Sequence, residues 1–217
     1  WNGTTWGNQI QLDNLGNHNF TDANVVYEQQ SGRAMVVYAS GTAGGVGYRI
    51  WNGATWSVAN TIAAPPGSSN YAQWTVVAGD PNSNRIVLGV ERNGNDAWMD
   101  VWNGWAWGTA QLGVQDGVDQ RDNLNIAVAF ESKSGEALAV YENDLAATEM
   151  QFRTWNSTTG WSAGTDFGAI ANKDTRAITL SSNPYSDQIQ LMVNDDDKIL
   201  RSDLWTGSSF AAPIQLE

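Results

Sequence analysis

Apolar and polar residues alternate along this chain in short bursts, with Gly, Asn, Ser and Asp between them. In the first clear stretch the bursts are NVVYE at 24–28, RAMVVYA at 33–39, GYRIW at 47–51 and TWSVANTI at 55–62. A period of two, rich in β-branched and aromatic residues, predicts strands. No stretch holds a 3.6-residue period long enough to predict a helix. QQSG separates the first two predicted strands and an Asn-Gly pair separates the last two. Asn-Gly tolerates positive φ at both central positions, so a two-residue hairpin turn is expected there. The link between the second and third strands varies most, as SGTAGGVG, RNGNDAW, NDLAATEM and NDDDKIL in successive copies.

The pattern recurs. Trp-Asn-Gly-x-x-Trp stands at Trp1–Trp6, Trp51–Trp56 and Trp102–Trp107, stretched at Trp155–Trp161 and altered at Trp205–Phe210. The leading tryptophans fall at 1, 51, 102, 155 and 205, spacings of 50, 51, 53 and 50. A second motif keeps step: QSGRAMVVY, NSNRIVLGV, KSGEALAVY and YSDQIQLMV, with serines at 31, 83, 134 and 186. The copies alternate in type. VVYEQQSG (25–32) matches VAFESKSG (128–135), and VAGDPNSN (77–84) matches LSSNPYSD (180–187).

Four antiparallel strands per repeat of this length predict an all-β, β-propeller-like array of blades. A sandwich or solenoid is the competing architecture; solenoid periods run at about 20–30 residues. The expected organisation is a single repeat domain over 1–217. Residues 1–19 end a preceding repeat, 20–69 and 121–173 are A copies, and 70–120 and 174–217 are B copies. That gives four full copies plus one extra N-terminal strand of the fourth type in 1–12. The motif tryptophans are expected to pack between blades, because a thin sheet cannot bury enough apolar surface alone.

Composition narrows the function. Net charge is −12 with three lysines, so nucleic acid and anionic membrane surfaces are poor partners. There is no Cys, which removes disulfides and thiol chemistry, and no apolar run long enough to cross a membrane as a helix is present. Charged residues make up only 16% of the chain. Abundant Asn, Thr, Ser and Gly suit a solvent-facing extracellular or cell-surface setting.

Two resemblances follow from these motifs. The pattern S-G-x-A-x-V-V-Y … Y-R-x-W-N-G-x-x-W-S resembles the tandem repeats of very large secreted or surface-anchored bacterial proteins, over nearly the whole chain. It also resembles the fucose-binding propeller lectins of fungi and soil bacteria, whose blades carry a Trp-Asp-Gly-x-x-Trp turn after an Arg-bearing strand. The lectin resemblance implies sugar binding between blades through an Arg, a Glu and an aromatic residue. Arg49 and Arg153 match the arginine, two positions before the motif Trp. The acidic residue expected before it is replaced by Tyr48 and Phe152, and the B copies carry Asp100 and Asp203 in place of the arginine.

The remaining chemistry is sparse. His18, the one histidine, lies in a polar linker and has no identifiable triad or metal partners. Asp195, Asp196 and Asp197 form a turn that offers oxygen ligands, a candidate for Ca²⁺ without the usual loop spacing; no other cofactor is implied. Glu28, Glu131, Glu91, Glu142 and Glu149 are candidate carboxylates for glycoside hydrolysis, but Glu28 and Glu131 hold equivalent repeat positions. Sugar stacking on aromatic faces is the better-supported chemistry. Trp74, Trp98 and Trp105, the tryptophans outside the repeated motif, and Tyr71 are the candidate ligand contacts. The expected function is a non-enzymatic extracellular repeat module for adhesion, ligand binding or assembly. Its expected partners are glycans or surface and matrix proteins, with self-association through an unpaired strand and no membrane insertion. A dedicated propeller lectin and a glycan-processing enzyme are the alternatives.

Overall fold

The computed structural model describes residues 3–7, 9–12, 23–40, 45–66, 71–114, 123–143, 150–167 and 175–216. Among these there is no helix, and the strands form four separate antiparallel sheets. The first sheet contains β1 (Ala23–Tyr27), β2 (Ala34–Ala39), β3 (Gly45–Trp51) and β4 (Asn60–Ala63). The second contains β5 (Ala72–Gly79), β6 (Ile86–Arg92), β7 (Asp96–Trp102) and β8 (Gln111–Val114). In the third, β9 (Ile126–Phe130), β10 (Ala137–Glu142) and β11 (Met150–Asn156) are followed by two short strands, β12 (Gly160–Trp161) and β13 (Thr165–Asp166), that both pair with β11. The fourth contains β14 (Thr175–Ser182), β15 (Ile189–Asp195), β16 (Leu200–Trp205) and β17 (Ile214–Gln215). Each sheet runs in simple up-and-down order, as expected of propeller blades.

The first strands line up: β1 packs on β5, β5 on β9, and β9 on β14. Between successive sheets lie three apolar layers. Met35 and Val37 face Ile86, Leu88 and Trp102; Met99 and Val101 face Ile126, Val128 and Tyr141; Leu138 and Val140 face Ile178, Leu191 and Trp205. Every residue of β2, β6 and β10 is buried, which explains why these strands read as near-continuous apolar runs.

Polar residues lock the blades in register. Trp102 donates its indole N–H to Glu28 Oε1 at 2.7 Å, and Trp205 donates to Glu131 Oε1 at 2.6 Å. Asn84 Oδ1 accepts the Gln30 and Ser31 amides at 3.0 and 2.8 Å; Asp187 Oδ1 does the same for Lys133 and Ser134 at 2.7 and 2.9 Å. Buried Glu91 accepts the Asn125 amide at 2.9 Å, and buried Glu142 the Thr175 amide at 2.8 Å.

Three features differ from the sequence expectation. The Trp-Asn-Gly turn is not a two-residue hairpin. Trp51 bridges Trp56, and only Gly53, at φ 98°, has a positive φ within the turn. Asn52 supplies its side chain instead, its Oδ1 accepting the Ala54 and Thr55 amides at 2.9 and 2.8 Å, an Asx-type closure. The fourth strand is therefore shorter than expected: in the first blade it is Asn60–Ala63, because residues before it complete the turn. Lastly, the described residues of 1–12 form no strand, and Trp6 is 84% exposed. Each sheet already has its own outer strand, so this segment finds no vacant third-strand edge.

The two ends of the array also differ. On β9, Val128 and Phe130 are buried against the second blade; the matching Val25 and Tyr27 on β1 are 64% and 57% exposed. On β6, Val87 and Gly89 are buried against the third blade; the matching β15 residues are Gln190 and Met192, both exposed.

Candidate functional site

A cavity of about 440 Å³ opens between the first and second blades. The first blade contributes Tyr48 from β3 and the stretch Thr61–Pro66 that includes the end of β4. The second contributes Asp100 from β7 and the Trp105–Ala110 stretch that follows the Trp-Asn-Gly turn. Strand alternation selects which side chains arrive there. Trp98, Asp100 and Trp102 point from β7 toward the first blade, while Met99 and Val101 point toward the third.

The walls are aromatic. The Tyr48 ring meets Trp102 and Trp107 edge-on at centroid distances of 5.9 and 6.0 Å, and Trp102 lies 5.8 Å from Trp107. The Trp107 indole N–H is buried and finds no acceptor among the described residues. Trp105 stands at the rim, 85% exposed. The Asn103 side chain fixes its backbone, accepting the Trp105 amide at 2.9 Å. Arg33, itself paired with Glu28 at 2.7 Å, lies 5.8 Å from the Trp105 ring centroid.

Asp100 is the ionisable carboxylate of the lining, and the cavity walls hold no Lys, Arg or His. It is 2% exposed, and burial pushes its pKa up to about 6, although the Val101 and Gly108 amides bond it and pull the other way. The Val101 amide donates to Oδ1 at 2.7 Å. Burial likewise raises the Tyr48 phenol. The site thus combines stacking faces, one buried carboxylate and an indole donor.

The equivalent cleft between the third and fourth blades is filled. Phe152 replaces Tyr48, Phe210 replaces Trp107, and Ser208 replaces Trp105. Strand register puts Phe167 where the first blade has Ile62. Phe167 stacks on Phe210 at 4.3 Å, Phe152 meets Phe210 at 5.6 Å, and Trp205 lies 5.3 Å from Phe210. Asp203 keeps the local bond of Asp100, accepting the Leu204 amide at 2.7 Å, and burial raises its pKa too.

The other candidates lie elsewhere. Trp98 has no exposed surface and belongs to the core; as a ligand contact it is corrected by the same alternation that buries Trp102. Trp74 and Tyr71 are half-buried and outside the cavity lining. Arg49 and Arg153 project from the opposite strand face to Tyr48 and Phe152. Arg49 donates to the Ser57 carbonyl at 3.2 Å, and Arg153 to the Tyr141 hydroxyl at 3.2 Å and the Ser162 carbonyl at 2.6 Å. Asp195 is buried and paired with Arg201 at 2.5 Å, Asp196 pairs with Arg176, and Asp197 is exposed. Among the described residues no three His, Asp or Glu side chains are grouped to hold a metal ion. Glu28, Glu131, Glu91 and Glu142 are engaged in the blade contacts above. His18 and Glu149 lie outside the described residues. In the sequence, Asp100 and Tyr48 stand out only as departures from the lectin pattern. Their one positive signal was that a third Trp, Trp105, occupies the turn beside them.

These features define a β-propeller-like protein, and comparison with solved structures agrees. The Aleuria aurantia lectin, a fungal six-bladed β-propeller with a novel fucose recognition mode, matches with TM-score 0.53 at 12% identity, over 91% of this chain and 61% of the lectin. The SapL1 lectin, solved with α-methyl fucoside, matches with TM-score 0.52 at 20% identity, over 89% of this chain and 63% of that one. The NanB sialidase of Streptococcus pneumoniae matches with TM-score 0.55 at 14% identity, over 86% of this chain and 30% of the sialidase. The chain thus spans less than two thirds of the length of these lectins, and at this identity the likeness establishes the fold. No protein-family model and no curated protein sequence matches.

Proposed function

We propose that this protein is a non-enzymatic carbohydrate-binding module that works outside the cell or at its surface, and that the cleft between its first two blades is the binding site. One observation carries this reading. Of two equivalent clefts, one is packed shut by Phe167 and Phe210, while the other is open, walled by Tyr48 and Trp107 and rimmed by an exposed Trp105. The blade architecture requires neither the opening nor the exposed tryptophan. Aromatic faces stack on the apolar side of a sugar ring, and a few polar groups fix its hydroxyls. The cleft lies between blades, as the lectin resemblance implies, and lectins of this fold bind fucosides. Glycoside hydrolysis needs two carboxylates about 5–10 Å apart, whereas the cleft lining holds Asp100 alone. Glycans, or surface proteins that carry them, are the matching partners, with adhesion or assembly as the outcome.

A glycan array tests this. The intact protein is expected to bind at least one glycan class, and Trp105→Ala, with an unchanged circular dichroism spectrum, is expected to weaken that binding about tenfold or more, the loss of one stacking contact. No binding by the intact protein, or equal binding by the variant, overturns the reading.

A further inference from the structure

We propose that the cleft selects sugars bearing a free, protonated amine over neutral, N-acylated or anionic sugars; this rests on the carbohydrate reading above. The argument starts from charge. At the position where the lectin pattern carries an arginine, the second blade carries Asp100. Its carboxylate sits in the cavity wall with no Lys, Arg or His in the lining to neutralise it. Its partners are backbone amides, which stabilise a carboxylate without cancelling its charge. A site of this kind repels uronic, sialic and sulfated sugars and attracts an ammonium.

The aromatic walls favour the same class. An ammonium is drawn to the faces of Trp and Tyr by the ring quadrupole, most strongly where water is excluded. Tyr48, Trp105 and Trp107 surround the approach to Asp100. Trp105 already has a guanidinium near its ring, since Arg33 sits 5.8 Å from its centroid. That guanidinium is committed to Glu28, with bonds of 2.7 and 2.9 Å, and does not line the cavity. An amine-bearing sugar therefore supplies what the site lacks, a cation for Asp100, while its ring stacks on the indoles. An N-acetyl group removes that charge and adds bulk at the same position.

The pH dependence follows. The other titratable group in the cavity lining is the Tyr48 phenol from β3, neutral below its raised pKa. Asp100 with a pKa of about 6 loses its charge as pH falls. The amine loses its charge as pH rises. Affinity therefore peaks between the two pKa values and falls on both sides.

Calorimetric titration with glucosamine, N-acetylglucosamine and glucose tests the proposal. Near neutral pH glucosamine is expected to bind about tenfold or more tightly than the other two, and about one pH unit below the Asp100 pKa its affinity drops roughly tenfold. Asp100→Asn abolishes the preference. Asp203→Asn makes the same change in the filled cleft and leaves the preference intact, which separates a binding effect from a folding effect. Equal or tighter binding of N-acetylglucosamine, or a preference that survives in Asp100→Asn, overturns the amine selectivity. If all three sugars bind alike and Trp105→Ala weakens them, the carbohydrate reading stands and the selectivity fails. If none binds to this protein and the array is also blank, both fall.

Discussion

At the scale of a single residue, Asp100 shows what burying a carboxylate costs the fold. A carboxyl with a raised pKa binds its proton more tightly when folded than when unfolded. Its contribution to stability is therefore fully present below the ordinary pKa of 3.8 and is lost as pH rises through about 6. That shift corresponds to a cost on the order of 2–3 kcal/mol at neutral pH. Asp100→Asn removes the charge and keeps an oxygen for the Val101 amide. It is expected to raise the thermal midpoint above about pH 7 and to have little effect below about pH 4, as differential scanning calorimetry across that range would show. A variant destabilised at neutral pH would mean that the carboxylate is well solvated. Asp203 is shifted in the same direction by burial, so the repeat tolerates this residue twice, and Asp100 is the copy that lines the cavity of about 440 Å³. Stabilising the fold by Asp100→Asn while losing amine selectivity would be a stability–activity trade-off of the usual kind.

At the scale of elements, the recurring glutamate explains why blades of this thinness hold together. Glu28 leaves β1 and accepts from the Trp102 indole of the next blade, from Ser31 within its own turn, and from Nε and Nη2 of Arg33. Glu131 repeats the bonds to Trp205 and Ser134. Removing the acceptor leaves a buried indole N–H without a partner and strips the half-buried Arg33 guanidinium of its carboxylate, leaving it the Gly104 carbonyl at 2.7 Å. Glu28→Ala is expected to cost about 3 kcal/mol in denaturant unfolding, and Glu28→Gln, which keeps an acceptor for Trp102, about 1 kcal/mol. These glutamates were visible in the sequence as repeat features, and their spacing from the tryptophans was legible too. The pairing across blades was not, because it joins residues 74 positions apart. The first three strands of each blade were likewise legible, from short bursts of β-branched and aromatic residues between turn signals. The fourth is shorter than its apolar pattern predicts because the Asn52 side chain closes a four-residue turn that a dipeptide rule assigns to two residues. The open cleft was the least legible feature. It depends on Ile62 standing where Phe167 stands in the sister blade, a difference that acts only once two strands and the next blade surround it.

At the scale of the whole molecule, the two outer faces of the array are unlike, and this decides where copies of the chain would meet. The junction between the second and third blades pairs an apolar B face with an apolar A face: Val87 and Gly89 of the second blade lie against Ile126 and Val128 of the third. Gly89 is small by necessity, since an added Cβ would come within 2.8 Å of Val76 and 3.0 Å of Ile126 and Val128. The fourth blade has abandoned this design, presenting Thr179, Ser181, Gln190, Met192 and Asn194 to solvent, a polar outer surface of the kind that caps repeat arrays. The first blade has kept it. Val25 and Tyr27 occupy the positions of Val128 and Phe130 and stand exposed beside Val36, an apolar face with no blade against it among the described residues. Any association of copies is therefore expected at the first blade, through its sheet face as much as through a strand edge. In sedimentation velocity, the mass is expected to rise with concentration. The paired change Val25→Glu and Tyr27→Glu should abolish that rise, because two charges on an apolar contact cost more than it gains, while Met192→Glu on the already polar fourth blade should leave it unchanged. A mass that stays monomeric at all concentrations, or association blocked by Met192→Glu instead, would show that the exposed apolar face of the first blade is not where copies join.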